Sequence, residues 1–293
     1  MKEGPQFDRR YPPVGKCIYC GSDGAPDGLS DEHIIPYSLA GRAILENASC
    51  RRCSVITAKI EQHCAHEMFG HLRISQKLPT RRKKERPGSA PANFVFSDRT
   101  EEHLIAFDKH PANTLFPVFP MPSLMEWGMN EGVAVLGYRA FHDATAVENL
   151  QKWIPGQNLV EVNFAPPKID PIQLVRMLAK IAHSFAVAKF GLNGFTPFLQ
   201  NIILEDGAPW RPYVGGSFDY QRDTAQFHRI IAGRIQAPTC TWLFVKIRLF
   251  AQLGGPNECP PFYWVIVGSL TPAQEIDLVS SIERDETAHA RDR

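Results

Sequence analysis

CIYCGSDGAPDGLSDEHIIPYSLAGRAILENASCRRC, residues 17–53, decides how this chain is read. Two Cys-x-x-Cys pairs, Cys17/Cys20 and Cys50/Cys53, bracket Asp31-Glu32-His33-Ile34-Ile35-Pro36 and a later Asn47. Four thiolates in two knuckles suit tetrahedral Zn²⁺ with no open position, a structural ion that supplies folding free energy to a small module. The pairs are 29 residues apart, more than a plain zinc ribbon needs, so the enclosed residues are expected to carry chemistry. They include an acidic ligand, a base and an amide, the set that a metal-dependent phosphodiesterase requires.

Outward from this stretch, the composition is that of an ordinary globular protein. In 293 residues, 44% are hydrophobic and 22% charged, which suffices for a true core and for one large or two smaller domains. No run of about 18 apolar residues is present, so no membrane span is expected. The opening residues lack the apolar core of a secretory signal. Cys64, Cys240 and Cys259 are scattered, and the paired cysteines read as metal ligands in a reducing, cytoplasmic setting. The net charge of +1 hides an asymmetry. Residues 1–90 carry 15 Lys/Arg against 10 Asp/Glu, while residues 91–293 carry 17 against 21. A basic N-terminal part fits a surface that faces nucleic acid.

The zinc knuckles together with Asp-Glu-His and Asn47 resemble the HNH endonucleases of the ββα-metal class. That resemblance implies a strand over residues 29–36, a turn near Gly41 and a helix starting near Cys50. It implies that Glu32 binds a catalytic Mg²⁺ or Mn²⁺ ion, and that neutral His33 deprotonates the attacking water. Strand alternation puts Asp31 and His33 on one face and Glu32 on the other, so Asp31 is the second candidate ligand. Asn47 corresponds to the family's middle asparagine, whose amide aims the histidine; an N-cap is the competing role. After the last cysteine, relatives carry Asn or His as the second metal ligand, whereas this chain has Ser54. Thr57 and Glu61 follow on the same helix, and Glu61 is the stronger ligand. His63, His66 and His71 do not share one helical face and are read as satisfied or surface histidines.

The fold expected is α+β, with three parts. Residues 1–78 form the HNH module, 79–92 a basic linker, and 93–293 a larger α+β domain. Arg81, Arg82, Lys83, Lys84 and Arg86 are the candidate nucleic-acid contacts, through phosphate. Beyond Pro91 the sequence predicts short strands over 93–97, 132–140, 159–164, 228–235, 242–250 and 262–268. One central apolar helix is predicted from Pro171, with Asp170 as N-cap and Gly191 as its stop. His183, within that helix, reads as a hydrogen-bonded core histidine.

The functional expectation is a metal-dependent DNA endonuclease that nicks one strand per site, with zinc as structural cofactor. By analogy with bacterial HNH proteins, residues 93–293 would target, sense or dock a partner protein, anti-phage defence being one such setting. A second class is a non-catalytic zinc-dependent module that binds nucleic acid or protein for the larger domain.

Overall fold

In the computed structural model, residues 9–80, 86–107, 109–110, 114–125, 134–141, 159–217, 226–237, 240–253 and 259–278 are described. The zinc-clamped module opens with β1 (Arg10–Tyr11), followed by β2 (Leu29–His33), a 3-10 turn at Tyr37–Leu39 and β3 (Ile44–Cys50). These strands form one sheet in the order β1-β3-β2, with β2 and β3 antiparallel. The hairpin between them closes at Gly41, where a Cβ would lie 2.0 Å from the Ile35 carbonyl oxygen, so only glycine fits. Cys50 ends β3 and caps α1 (Arg51–His63), which buries Cys53, Thr57 and Ile60 at i, i+4 and i+7. The helix expected to start near Cys50 continues through a π turn (Cys64–Met68) into α2 (Gly70–Ser75), giving three consecutive segments. Arg73 lies inside α2. It is buried and donates to the carbonyls of Ser38 at 2.7 Å and Ala65 at 3.0 Å.

Past the connector come β4 (Ser89–Phe96), β5 (Thr100–Ala106), β6 (Thr114–Val118), β7 (Gly137–Phe141) and β8 (Leu159–Phe164). β4 lies between β5 and β8 in one antiparallel sheet, and β6 pairs with β7. The predicted strands over 93–97 and 159–164 are found as β4 and β8; β5 and β6 were not anticipated. β5 reads Thr-Glu-Glu-His-Leu-Ile-Ala, too polar on its exposed face to announce itself.

α3 (Pro171–Phe190) is the central helix. Asp170 accepts hydrogen bonds from the Ile172 and Gln173 N–H groups, both at 3.1 Å, and Gly191 follows at φ +74°. Every residue from Leu174 to Val187 is buried, so this helix is enclosed on all sides. One wall is the five-stranded antiparallel sheet of β9 (Thr196–Pro197), β10 (Val214–Ser217), β11 (Arg229–Gln236), β12 (Thr241–Arg248) and β13 (Phe262–Leu270). The short α4 (Gln200–Leu204) lies between β9 and β10 in the chain. β12 alternates strictly, with Leu243, Val245 and Ile247 buried and Trp242, Phe244 and Lys246 half-buried. The opposite wall of α3 is the zinc-clamped module. A single apolar core runs from Tyr11 and Ile18 through Leu39, Ile60 and Phe69 to Leu178, Ile181, Val245 and Val265. β4, β5 and β8 keep a small core of their own around Ala92, Phe94 and Ile105.

Candidate active site

The two cysteine knuckles meet where β3 passes into α1. In the first, the Gly21 N–H donates to the Cys17 carbonyl at 2.9 Å, and Gly21 takes φ +75°, which glycine accepts without strain. The four Sγ atoms all lie within 4.8 Å of one another, and those of Cys20 and Cys50 are 3.6 Å apart. Zn–S bonds of about 2.3 Å in a tetrahedron require sulfur separations near this value, so the residues fit a structural zinc ion. Burial pushes the Cys17 and Cys53 thiols up, so four thiolates coexist there only around a cation. Cys20 alone of the four is exposed.

β2 presents the expected Asp-Glu-His with a break in register. Ser30 pairs with Ser49, but Glu32 pairs with Leu45, so Asp31 faces three residues of β3. Asn47 sits in this bulge at φ +45°, exposed, and its backbone N–H donates to the Asp31 carboxylate at 3.1 Å. Arg10 bridges Asp31 at 2.7 Å and Glu46 at 2.6 Å. The Asn47 N–H, and then Arg10, hold the Asp31 carboxyl below its ordinary range. Asp31 is therefore engaged at the outer edge of the hairpin.

Glu32 and His33 point in opposite directions, as strand alternation requires. The His33 ring lies edge-on to Tyr37, 5.8 Å between centroids, in the wall of a cleft of about 710 Å³. Glu61, Gln62, His66, Arg73 and Arg86 line the same cleft, and β4 contributes Ser89, Ala90 and Pro91. Glu32 is buried, 5% exposed, and turns inward to Lys180 of α3. The Lys180 ammonium, fully buried, lies 2.5 Å from Glu32 Oε1 and 2.7 Å from Glu61 Oε1, and donates to the His33 carbonyl. The Ile34 carbonyl lies 3.4 Å away on the same side. Burial opposes a charged lysine, but the two carboxylates outweigh it and hold the ammonium protonated. Burial likewise raises Glu32, Lys180 pulls it back in part, and Glu61 raises it again. The Tyr19 hydroxyl lies 3.1 Å from that of Ser184.

The sequence-derived metal candidates are thus dispersed. Ser54 donates to the Arg51 carbonyl at 3.0 Å within its own helical turn. Asp31 is held by Arg10 and Asn47, and Glu32 meets Glu61 only across Lys180. Among the described residues the four cysteines are the one cluster of three or more His, Cys, Asp or Glu side chains able to hold a metal. The four candidates do not fit a divalent ion as arranged. His63 pairs with Asp170 at 3.5 Å, and His71 packs on His110 with centroids 4.8 Å apart, so the two have separate surroundings. The buried His71 Nδ1 has no hydrogen-bond partner among the described residues, against the expectation of a satisfied histidine. Arg81, Arg82, Lys83 and Lys84 lie outside the described residues; Arg86 donates to the Leu78 carbonyl at 2.6 Å.

Sequence reasoning missed Lys180 and His228, whereas His183 is the hydrogen-bonded core histidine that was expected. His183 donates from Nε2 to the Ile18 carbonyl at 2.7 Å, and His228 from Nε2 to the Leu39 carbonyl at 2.7 Å. The available signal was a lysine inside an otherwise apolar helix face, a residue that is rarely buried without a counter-charge. Its partners lie more than a hundred positions upstream in sequence, which no local pattern shows.

Residues 17–68 match the HNH endonuclease family. The match spans both knuckles, the Asp-Glu-His strand and α1 up to the end of the π turn. No curated protein and no solved structure matched the chain. No helix among the described residues is long and apolar enough to cross a membrane.

Proposed function

Because residues 17–68 carry the HNH endonuclease module, we propose that the chain hydrolyses phosphodiester bonds of DNA, with His33 as general base. The observation that supports this most is the placement of His33. Its ring lines the cleft, while the backbone behind it is tied to a fully buried lysine. A neutral imidazole there takes a proton from water, which attacks the scissile phosphorus and expels the 3′ oxygen. Asn47 shapes the bulge that carries the histidine strand. Arg86 and the basic residues 81–84 contact phosphate and give salt-dependent, sequence-independent affinity. One such site cuts one strand, so the expected product is a nick. No step is routed through Mg²⁺ or Mn²⁺, because Glu32 and Glu61 already face a cation of the chain itself. Residues 93–293 would restrain or target the module and dock a partner, the arrangement that an anti-phage role uses.

The test is conversion of supercoiled plasmid to the nicked form, with and without Mg²⁺ or Mn²⁺. His33→Ala is expected to lower the rate by about 10²-fold or more; equal cleavage by wild type and variant would sink the proposal. A second reading is a zinc-dependent module that binds nucleic acid without cutting. It is favoured by one observation, that the residue after the last cysteine, Ser54, is spent on the Arg51 carbonyl. DNA binding with no cleavage under any divalent ion would select it.

A further inference from the structure

The Lys180 ammonium is surrounded as a small cation would be. Four oxygens approach it: Glu32 Oε1 at 2.5 Å, Glu61 Oε1 at 2.7 Å, the His33 carbonyl, and the Ile34 carbonyl at 3.4 Å. An ammonium has three N–H donors, which the first three oxygens satisfy, leaving the Ile34 carbonyl as the weak fourth contact. The carboxylates come from β2 and α1 of the zinc-clamped module, whereas the lysine comes from α3, more than a hundred residues beyond it. Nothing else on the described residues neutralises Glu32 or Glu61 at this point. Two carboxylates this close, one of them almost fully buried, require a positive charge between them.

We propose that Lys180 is the resident cation of the HNH module: it fills the position between Glu32 and Glu61 that a divalent ion could otherwise take, and it fixes the His33 backbone from beneath. Lys180 has no solvent exposure and cannot touch a substrate, so it is a positioning residue. Two consequences follow. The native chain does not take up a divalent ion at Glu32 and Glu61. Removal of the lysine charge, with its length kept, converts the pair into a site that does. Neither consequence depends on whether the module cleaves DNA.

The experiment uses the full, zinc-loaded chain as wild type, Glu61→Gln, Lys180→Met, Lys180→Arg and the triple variant Glu32→Gln/Glu61→Gln/Lys180→Met. Each is titrated with Mn²⁺ by electron paramagnetic resonance and melted with and without Mn²⁺. Wild type is expected to bind no Mn²⁺ that depends on Glu61, and its Tm stays fixed. Lys180→Met is expected to melt about 10 °C lower, since an unpaired buried carboxylate pair is left behind. Mn²⁺ restores at least half of that loss, and the triple variant shows no restoration. Lys180→Arg, which keeps the charge, recovers part of the Tm without Mn²⁺ and gains no Mn²⁺ site. Three results would overturn the assignment: Mn²⁺ bound by wild type and lost in Glu61→Gln, a Lys180→Met chain as stable as wild type, or a folded Lys180→Met chain that takes up no Mn²⁺. If Lys180→Met fails to fold, the titrations of wild type and Glu61→Gln decide alone. Because the readouts are ion binding and melting, failure here is distinguishable from failure of the His33→Ala cleavage test.

Discussion

Asn47 carries two separable duties, one of backbone and one of side chain. Its φ of +45° is a conformation that asparagine tolerates and alanine resists. Asn47→Ala is therefore expected to cost roughly 1 kcal/mol in urea unfolding, whereas Asn47→Gly costs only a few tenths or stabilises slightly. If the amide serves His33 as the family resemblance implies, cleavage falls in both variants. If only the bulge matters, Asn47→Gly retains full activity. Cys20 offers a second test at this scale. It is the exposed member of the four-sulfur cluster, so Cys20→Ser disturbs little packing while it removes one ligand. The expected outcome is loss of stoichiometric zinc by elemental analysis, together with a marked fall in Tm, because zinc binding free energy is folding free energy. Unchanged zinc content would refute the clamp.

α3 is the element on which both halves of the molecule converge. Its start is fixed by the Asp170 side chain on the Ile172 and Gln173 N–H groups, and the same carboxylate pairs with His63 at the end of α1. Asp170→Ala is expected to lower stability by about 1 kcal/mol, read as a shift of the urea midpoint with an unchanged m-value. The cap was legible in sequence, as Asp-Pro before an apolar repeat and Gly after it. The same was true of β8, β11 and β13, whose alternating or continuous apolar runs announce strands. β5 and the break of the α1–α2 run at its π turn were not legible, since one is polar on its exposed face and the other has no breaker residue.

Across the whole molecule, three side chains of the α3 and β11 region donate to backbone carbonyls of the zinc-clamped module. Lys180, His183 and His228 donate to the carbonyls of His33, Ile18 and Leu39. A fragment ending at residue 78 loses all three donors and one wall of its core, and is expected to give an unfolded circular dichroism spectrum even with zinc. The two histidines also set an acid limit. Burial pulls each down to about 4, below the ordinary value of 6.5, so each is neutral in the fold. The unfolded chain gains protons first as pH falls. Their contribution is therefore fully present above about pH 6.5 and is lost progressively down to about pH 4. Each is worth on the order of 3 kcal/mol over that window. Stability against urea is expected to fall steeply between pH 6.5 and 4, and less so in His228→Gln, whose side chain does not titrate there.

The sequence by itself determined the four-cysteine clamp, the identity and opposed faces of Glu32 and His33, and the central helix. All are local, because ligand spacing, strand alternation and helix capping act over a few residues. Only the tertiary structure decided which cation Glu32 and Glu61 face. A lysine more than a hundred positions away reaches them because α3 packs against the module through a shared apolar core, and that packing is a property of the folded surface, not of any sequence window.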